Sequence, residues 1–138
     1  MYDREKKTIL IVDDNKVYLE SFVNQLRNEL PDFDFVPMSD PFRAMIYTRE
    51  NPTDLIIMDM LLDRFDGIQI LRAIRRFGCQ APAVIMSGYG EFEITKRLFP
   101  ENNVKKVITK TAPLCSIVGL ILNCFKNETT REPQGAFA

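Results

Sequence analysis

Five side chains stand out for the chemistry their types could perform together: Asp13, Asp14, Asp59, Ser87 and Lys110. Each follows a short apolar run. Residues 8–12 precede the aspartate pair, Leu55-Ile56-Ile57-Met58 precedes Asp59, and residues 83–86 precede Ser87. A run holding Val104, Val107 and Ile108 precedes Lys110. Three carboxylates drawn together repel one another and hold protons more tightly unless a cation sits among them. No histidine or cysteine belongs to the pattern, and an all-oxygen set suits a hard ion; Mg2+ is the usual one when phosphate is the substrate. A hydroxyl and an ammonium across from such an ion would hold the other oxygens of a phosphoryl group, with the backbone of Gly88 to assist. Phosphoryl transfer asks mainly for positioning and charge neutralisation. An aspartate can itself be the nucleophile.

The elements between these residues decide whether they meet. Residues 8–12 are β-branched and apolar on both faces, as a central parallel strand requires. Val17, Leu19, Phe22, Val23, Leu26 and Leu30 then recur at helical spacing, and Pro31 ends that helix. Phe33 and Phe35 alternate with Asp32 and Asp34 in a half-exposed edge strand over 32–37. Asp40-Pro41 reads as a helix cap with a first-turn proline, opening a helix to about Glu50. A second buried strand ends at Asp59, and Ile68, Leu71 and Ile74 mark a helix closed by Gly78. A strand over 83–86, a short helix over 91–99 and a fifth strand near 104–110 follow. Pro113 opens a last helix bearing Leu114, Ile117, Val118, Ile121, Leu122 and Phe125. Five strands alternating with five helices mean βαβ units: one parallel sheet with helices on both faces. In such a sheet ligands bind beyond the carboxyl ends of the strands, where the five polar residues lie.

The chain has 138 residues, one ordinary domain, with a near-zero net charge of −1. That balance provides no basic footprint for direct nucleic-acid binding. Histidine is absent, which excludes a Ser-His-Asp or Cys-His site in this chain and any His-ligated zinc. Cys79, Cys115 and Cys124 form no C-x-x-C pair, so reduced thiols in a cytoplasmic protein are expected. Residues 1–7 are charged and lack a signal core, and no apolar run approaches the roughly 18–20 residues of a membrane helix.

Over about residues 8–125 the chain resembles the receiver domains of two-component response regulators. The motifs are Ile9-Leu10-Ile11-Val12-Asp13-Asp14-Asn15, then Asp54-Leu55-Ile56-Ile57-Met58-Asp59, Asp66-Gly67, Met86-Ser87-Gly88-Tyr89-Gly90, and Lys110. Each is weak alone; together, in order and at suitable spacing, they are specific. The resemblance implies a flavodoxin-like, doubly wound single domain over 8–126, with an N-terminal extension (1–7) and a flexible C-terminal tail (127–138). It implies that Asp59 accepts a phosphoryl group from the phosphohistidine of a sensor histidine kinase or phosphotransfer protein. Asp14 would ligate Mg2+ directly and Asp13 mostly through water, with Asp59 and the backbone carbonyl of Leu61 completing the protein ligands. Ser87 would take a phosphoryl oxygen and Lys110 would pair with the phosphoryl group. The side chains of Leu61 and Tyr89 would set how fast water reaches the phosphoaspartate.

Three positions depart from the family pattern. Asp63 stands where a proline is usual, Thr111 follows Lys110 where the family has proline, and Val107 occupies the place of a switch tyrosine or phenylalanine. The Val107 and Thr111 departures support one rival: a pseudo-receiver that binds a partner without using phosphate. A small Asp-nucleophile phosphatase is the other rival, but Asp13-Asp14-Asn15-Lys16 lacks the Asp-x-Asp motif. No Gly-rich phosphate loop follows the first strand, against a nucleotide binder. Excess apolar surface on the last helix suggests a homodimer through the fourth and fifth helices.

Overall fold

The computed structural model describes residues 6–88 and 103–137, with backbone alone for 127–137. Its elements are β1 (Thr8–Val12), α1 (Lys16–Glu29), β2 (Asp34–Met38), α2 (Pro41–Glu50), β3 (Leu55–Asp59), α3 (Gly67–Arg76), β4 (Ala83–Ser87), β5 (Val104–Thr109) and α4 (Leu114–Phe137). The helix expected over 91–99 lies outside the described residues, so α4 is the fifth of the expected helices.

The five strands form one parallel sheet in the order β2-β1-β3-β4-β5. Every residue of β3 and β4 is buried, as the unbroken apolar runs demand. Alternation divides their side chains between two cores. Leu10, Val12, Ile56, Met58 and Ile85 pack with Ile68, Leu71 and Ile74 of α3. Ile9, Ile11, Leu55, Ile57 and Met86 pack with Leu19, Phe22 and Leu26 of α1 and with Ile117 and Ile121 of α4. The flavodoxin-like arrangement expected from the sequence is the one observed.

Local chemistry sets the helix starts. The side chains of Asn15 and Asp40 accept hydrogen bonds from the Tyr18 and Phe42 N–H groups, with Pro41 in the first turn of α2. Asp66 and Gln69 form a reciprocal capping box on α3, and Gly78, just past its end, takes φ +109°.

Three details differ from the sequence reading. Val17 is 80% exposed, because it lies off the arc that α1 turns to the sheet. The edge strand begins at Asp34 rather than Asp32; Phe33 lies outside it and packs against Phe125 of α4. Helical backbone in α4 continues past Lys126 to Phe137, first through residues 127–132, which hold no proline or glycine, and then through Pro133 and Gly135.

Candidate functional site

From β1 the chain moves to β2 on one side and then to β3 on the other, so β1 and β3 flank the point where strand order reverses. In open parallel sheets that crevice receives the ligand. Asp13 follows β1 directly, and Asp59 is the last residue of β3. The two-residue period that turns Ile9, Ile11, Leu55 and Ile57 toward α1 and α4 carries Asp13 and Asp59 to the same side. Ile108 packs on that side as well, and Lys110 is two residues further along.

Asp13 and Asp59 are only 2% and 7% exposed, which for carboxylates demands partners. The Asp13 N–H donates to the Met38 carbonyl at 3.1 Å, and Asp13 Oδ1 accepts from the Asn15 N–H at 2.9 Å. Lys110 Nζ lies 2.8 Å from Asp13 Oδ2 and 3.2 Å from Asp59 Oδ2. Asp59 Oδ1 faces the Leu61 N–H at 3.4 Å. Asp14 is more open to solvent. One oxygen from each of Asp13, Asp14 and Asp59 fits within a 4.8 Å set. Three carboxylates against one ammonium leave negative charge uncompensated. A divalent cation with oxygen preference fits that donor set and that charge.

Burial pushes the Asp59 carboxyl up to about 6, and the charge of Asp13 adds to the rise, while Lys110 and the Leu61 N–H pull it back. For Lys110, burial alone favours the neutral amine. The Asp13 hydrogen bond and the charges of Asp59 and Asp13 outweigh it, so the ammonium is held above its ordinary value. The protonated lysine is therefore the working form at neutral pH.

Gly67 holds the acceptor strand close to α3. Its N–H donates to the Met60 carbonyl at 2.6 Å. A Cβ there would collide with the Asp59 carbonyl oxygen and come within 2.9 Å of Met58 Cγ. Leu61 and Asp66 face each other in an antiparallel bridge flanked by the Gly67–Met60 and Leu62–Phe65 hydrogen bonds. In that pattern the N–H and C=O of Leu61 turn away from the bridge. The N–H faces Asp59, and the carbonyl points away from Asp66. Asp63, at the usual proline position, is exposed at the tip of the two-residue loop between Leu62 and Phe65, whose N–H and C=O groups bond in both directions.

Ser87 ends β4, fully buried, with its hydroxyl donating to the Gly88 carbonyl at 3.1 Å. Its own carbonyl accepts from the Lys110 N–H at 3.3 Å, which ties the two positions together through the backbone. Lys110 is thus aimed into the site even with threonine following it, and the described residues contain no cis peptide bond. Val107 is buried among Ile85, Val104 and Leu71, with no aromatic ring at that position. Leu61 is 59% exposed beside the acceptor, and Tyr89 lies outside the described residues.

Sequence reasoning missed Tyr18. Its ring centroid is 4.6 Å from Lys110 Nζ, and burial raises its hydroxyl pKa, partly offset by Lys110. The available signal was its place in the first turn of α1, three residues after the Asn15 cap and four before Phe22. No described helix is long and apolar enough to cross a membrane.

Comparison with known proteins agrees with this geometry. The family model for the response regulator receiver domain matches residues 9–121. The alkaline phosphatase synthesis transcriptional regulatory protein PhoP of Bacillus subtilis is 30% identical over 106 residues, 75% of this chain and 42% of that protein. The DNA-binding response regulator MtrA of Mycobacterium tuberculosis is 33% identical over 73 residues, 53% of this chain and 31% of that protein. The chain spans less than half the length of these curated relatives. Among solved structures, the CheY-like receiver domain protein of Methanospirillum hungatei JF-1 superposes with a TM-score of 0.78 at 17% identity, covering 91% of this chain and 98% of that one. The signal receiver domain of a LuxO repressor protein from Vibrio parahaemolyticus gives 0.79 at 15% identity, covering 92% and 95%. With the family match spanning most of its length and the strand-end acids and lysine gathered at one crevice, this chain belongs to the response regulator receiver domain family.

Proposed function

We propose that this receiver domain takes a phosphoryl group onto Asp59 from the phosphohistidine of a sensor histidine kinase or phosphotransfer protein. The observation that carries the reading is Lys110 Nζ within 3.2 Å of the acceptor oxygen and 2.8 Å of Asp13, in a set of oxygens that fits Mg2+. A carboxylate oxygen of Asp59 attacks phosphorus, the bond from phosphorus to the donor imidazole nitrogen breaks, and its electron pair stays on that nitrogen. Lys110 neutralises charge on the transferred oxygens, and the Ser87 hydroxyl gives up the Gly88 carbonyl for a phosphoryl oxygen. Asp13, Asp14, Asp59 and the Leu61 carbonyl would hold Mg2+, which supplies charge neutralisation at the phosphoryl oxygens when bound. An acceptor titrating near 6 is largely ionised, and so nucleophilic, at neutral pH.

The chain supplies the acids and the lysine, and the histidine of the reaction belongs to the partner. We place the exchange in the cytoplasm. The signal passes by a conformational change that starts at Ser87 and Lys110, without an aromatic switch at Val107. A homodimer through the fourth and fifth expected helices is the proposed assembly. The test uses beryllium fluoride, a phosphoryl mimic, with Mg2+. Bound fluorine resonances are expected in wild type and absent in Asp59→Asn; equal spectra would overturn the assignment.

A further inference from the structure

Lys110 is rooted in a turn, although its side chain must point accurately. The chain turns immediately after β5: the Ala112 N–H donates to the Thr109 carbonyl at 3.1 Å, so Lys110 and Thr111 are the central residues of a tight turn. Thr109 and Thr111 hydroxyls sit 3.2 Å apart on its exposed side. The backbone thereby fixes where the lysine starts, but a flexible four-carbon stem lies between that root and the ammonium. Asp13 and Asp59 take two of its three donors.

The remaining side is occupied by an aromatic face. Tyr18 stands with its ring centroid 4.6 Å from Nζ, inside the roughly 6 Å reach of a cation–π contact. The ring is itself well anchored. Its backbone N–H is capped by Asn15 at 3.0 Å, and its face stacks on Phe22 with centroids 5.5 Å apart. Tyr18, Lys110, Ala112 and Leu114 line one cleft of about 210 Å³ between the start of α1 and the loop into α4. A rigid ring on the first turn of α1 thus stands against the ammonium of β5's loop, on the sheet face that carries both buried aspartates.

We propose that Tyr18 is a positioning residue, whose ring holds the Lys110 ammonium against Asp13 and Asp59 in a chain whose lysine is followed by threonine. The ring, not the hydroxyl, does this. The inference rests on the phosphoryl-acceptor reading for its kinetic consequence, but not for the contact itself.

The experiment therefore has two arms. The first is proton NMR of the unphosphorylated protein. A ring stacked over the ammonium shields the neighbouring methylene, so the Lys110 Hε signals are expected upfield of other lysines in wild type and Tyr18→Phe, and at ordinary values in Tyr18→Leu. The second is the rate of phosphorylation by acetyl phosphate with Mg2+. Tyr18→Leu is expected to slow it by about 3- to 10-fold, the range of a partly buried cation–π contact, and Tyr18→Phe to retain most of the wild-type rate. Ordinary Hε shifts in wild type would overturn the proposal, and need no variant to fold. So would a Tyr18→Phe rate as low as that of Tyr18→Leu, which would assign the effect to the hydroxyl. A wild type that takes up no phosphoryl group yet shows the shielded Hε signals would refute the acceptor reading and leave the contact standing.

Discussion

Gly67→Ala isolates the contact that seats the acceptor. The new Cβ would overlap the Asp59 carbonyl oxygen, approach Met58 Cγ to 2.9 Å and the Asp59 carbonyl carbon to 3.2 Å. Met58 can rotate, but the Asp59 backbone lies in a fully buried strand and cannot. Restoring ordinary contact distances of about 3.5 Å requires roughly 1 Å of separation between the end of β3 and the start of α3. That stretches the 2.6 Å Gly67–Met60 hydrogen bond, worth about 1 kcal/mol net. Overpacking adds about 1–3 kcal/mol, and alanine returns at most about 1 kcal/mol of helix preference. The net loss is about 2 kcal/mol, a fall of very roughly 5–15 °C in Tm for a domain of this size. Displacing the nucleophile by about 1 Å also slows phosphoryl acceptance, by as much as about 100-fold. Urea denaturation and acetyl phosphate kinetics measure the two effects. Gly78→Ala is the control: it has open space around its Cβ but φ +109°, so it loses about 1 kcal/mol to backbone strain and leaves the acceptor untouched. A Gly67→Ala protein with wild-type stability and rate would refute the reasoning.

Asp59→Asn should stabilise the metal-free protein at pH 7.5 by about 1–3 kcal/mol. The folded carboxyl titrates near 6 against 3.8 ordinarily, so stability is present below the unfolded value and lost as pH rises through about 6. Urea midpoints of the two proteins should converge near pH 4, and a wild type more stable than the variant at pH 7.5 contradicts this. Lys110→Met removes the ammonium that lowers the Asp59 pKa, so carbon NMR should find the Asp59 titration moved above 6; a downward move contradicts the geometry. Mg2+ should raise Tm progressively with its concentration, by the equivalent of about 2.7 kcal/mol at a hundred times its Kd. That gain should shrink as pH drops through 6 and largely vanish in Asp14→Ala; an undiminished gain in the variant contradicts the ligand set.

The site was largely legible because it depends on strand ends, and buried parallel strands announce themselves as unbroken apolar runs. Residues 55–58 could hardly be anything else, and the aspartate after them inherits its place from topology. Lys110 was harder, since Lys105 and Lys106 lie in the strand just before it; what separates them is that Lys110 stands past the carboxyl end of β5, which only the pairing with β4 fixes. What the sequence concealed was side-chain geometry between distant elements. Tyr18 looks like one more amphipathic residue until α1 and the loop after β5 are brought together. Asp63 looked like a missing proline, whereas the loop is held by paired Leu62–Phe65 backbone bonds that no single residue type announces. Val17 fitted the apolar list by type yet faces solvent, because a helix stripe is decided by angle and not by hydrophobicity alone.

The central claim is that Asp59 is the residue that takes up phosphate. Its most direct measurement is intact mass after incubation with acetyl phosphate, in wild type and Asp59→Asn, with Mg2+ and with a chelator. The account predicts a gain of one phosphoryl group in wild type with Mg2+, and none with the chelator or in the variant. An unmodified wild type, or a variant modified as fully as wild type, would contradict it.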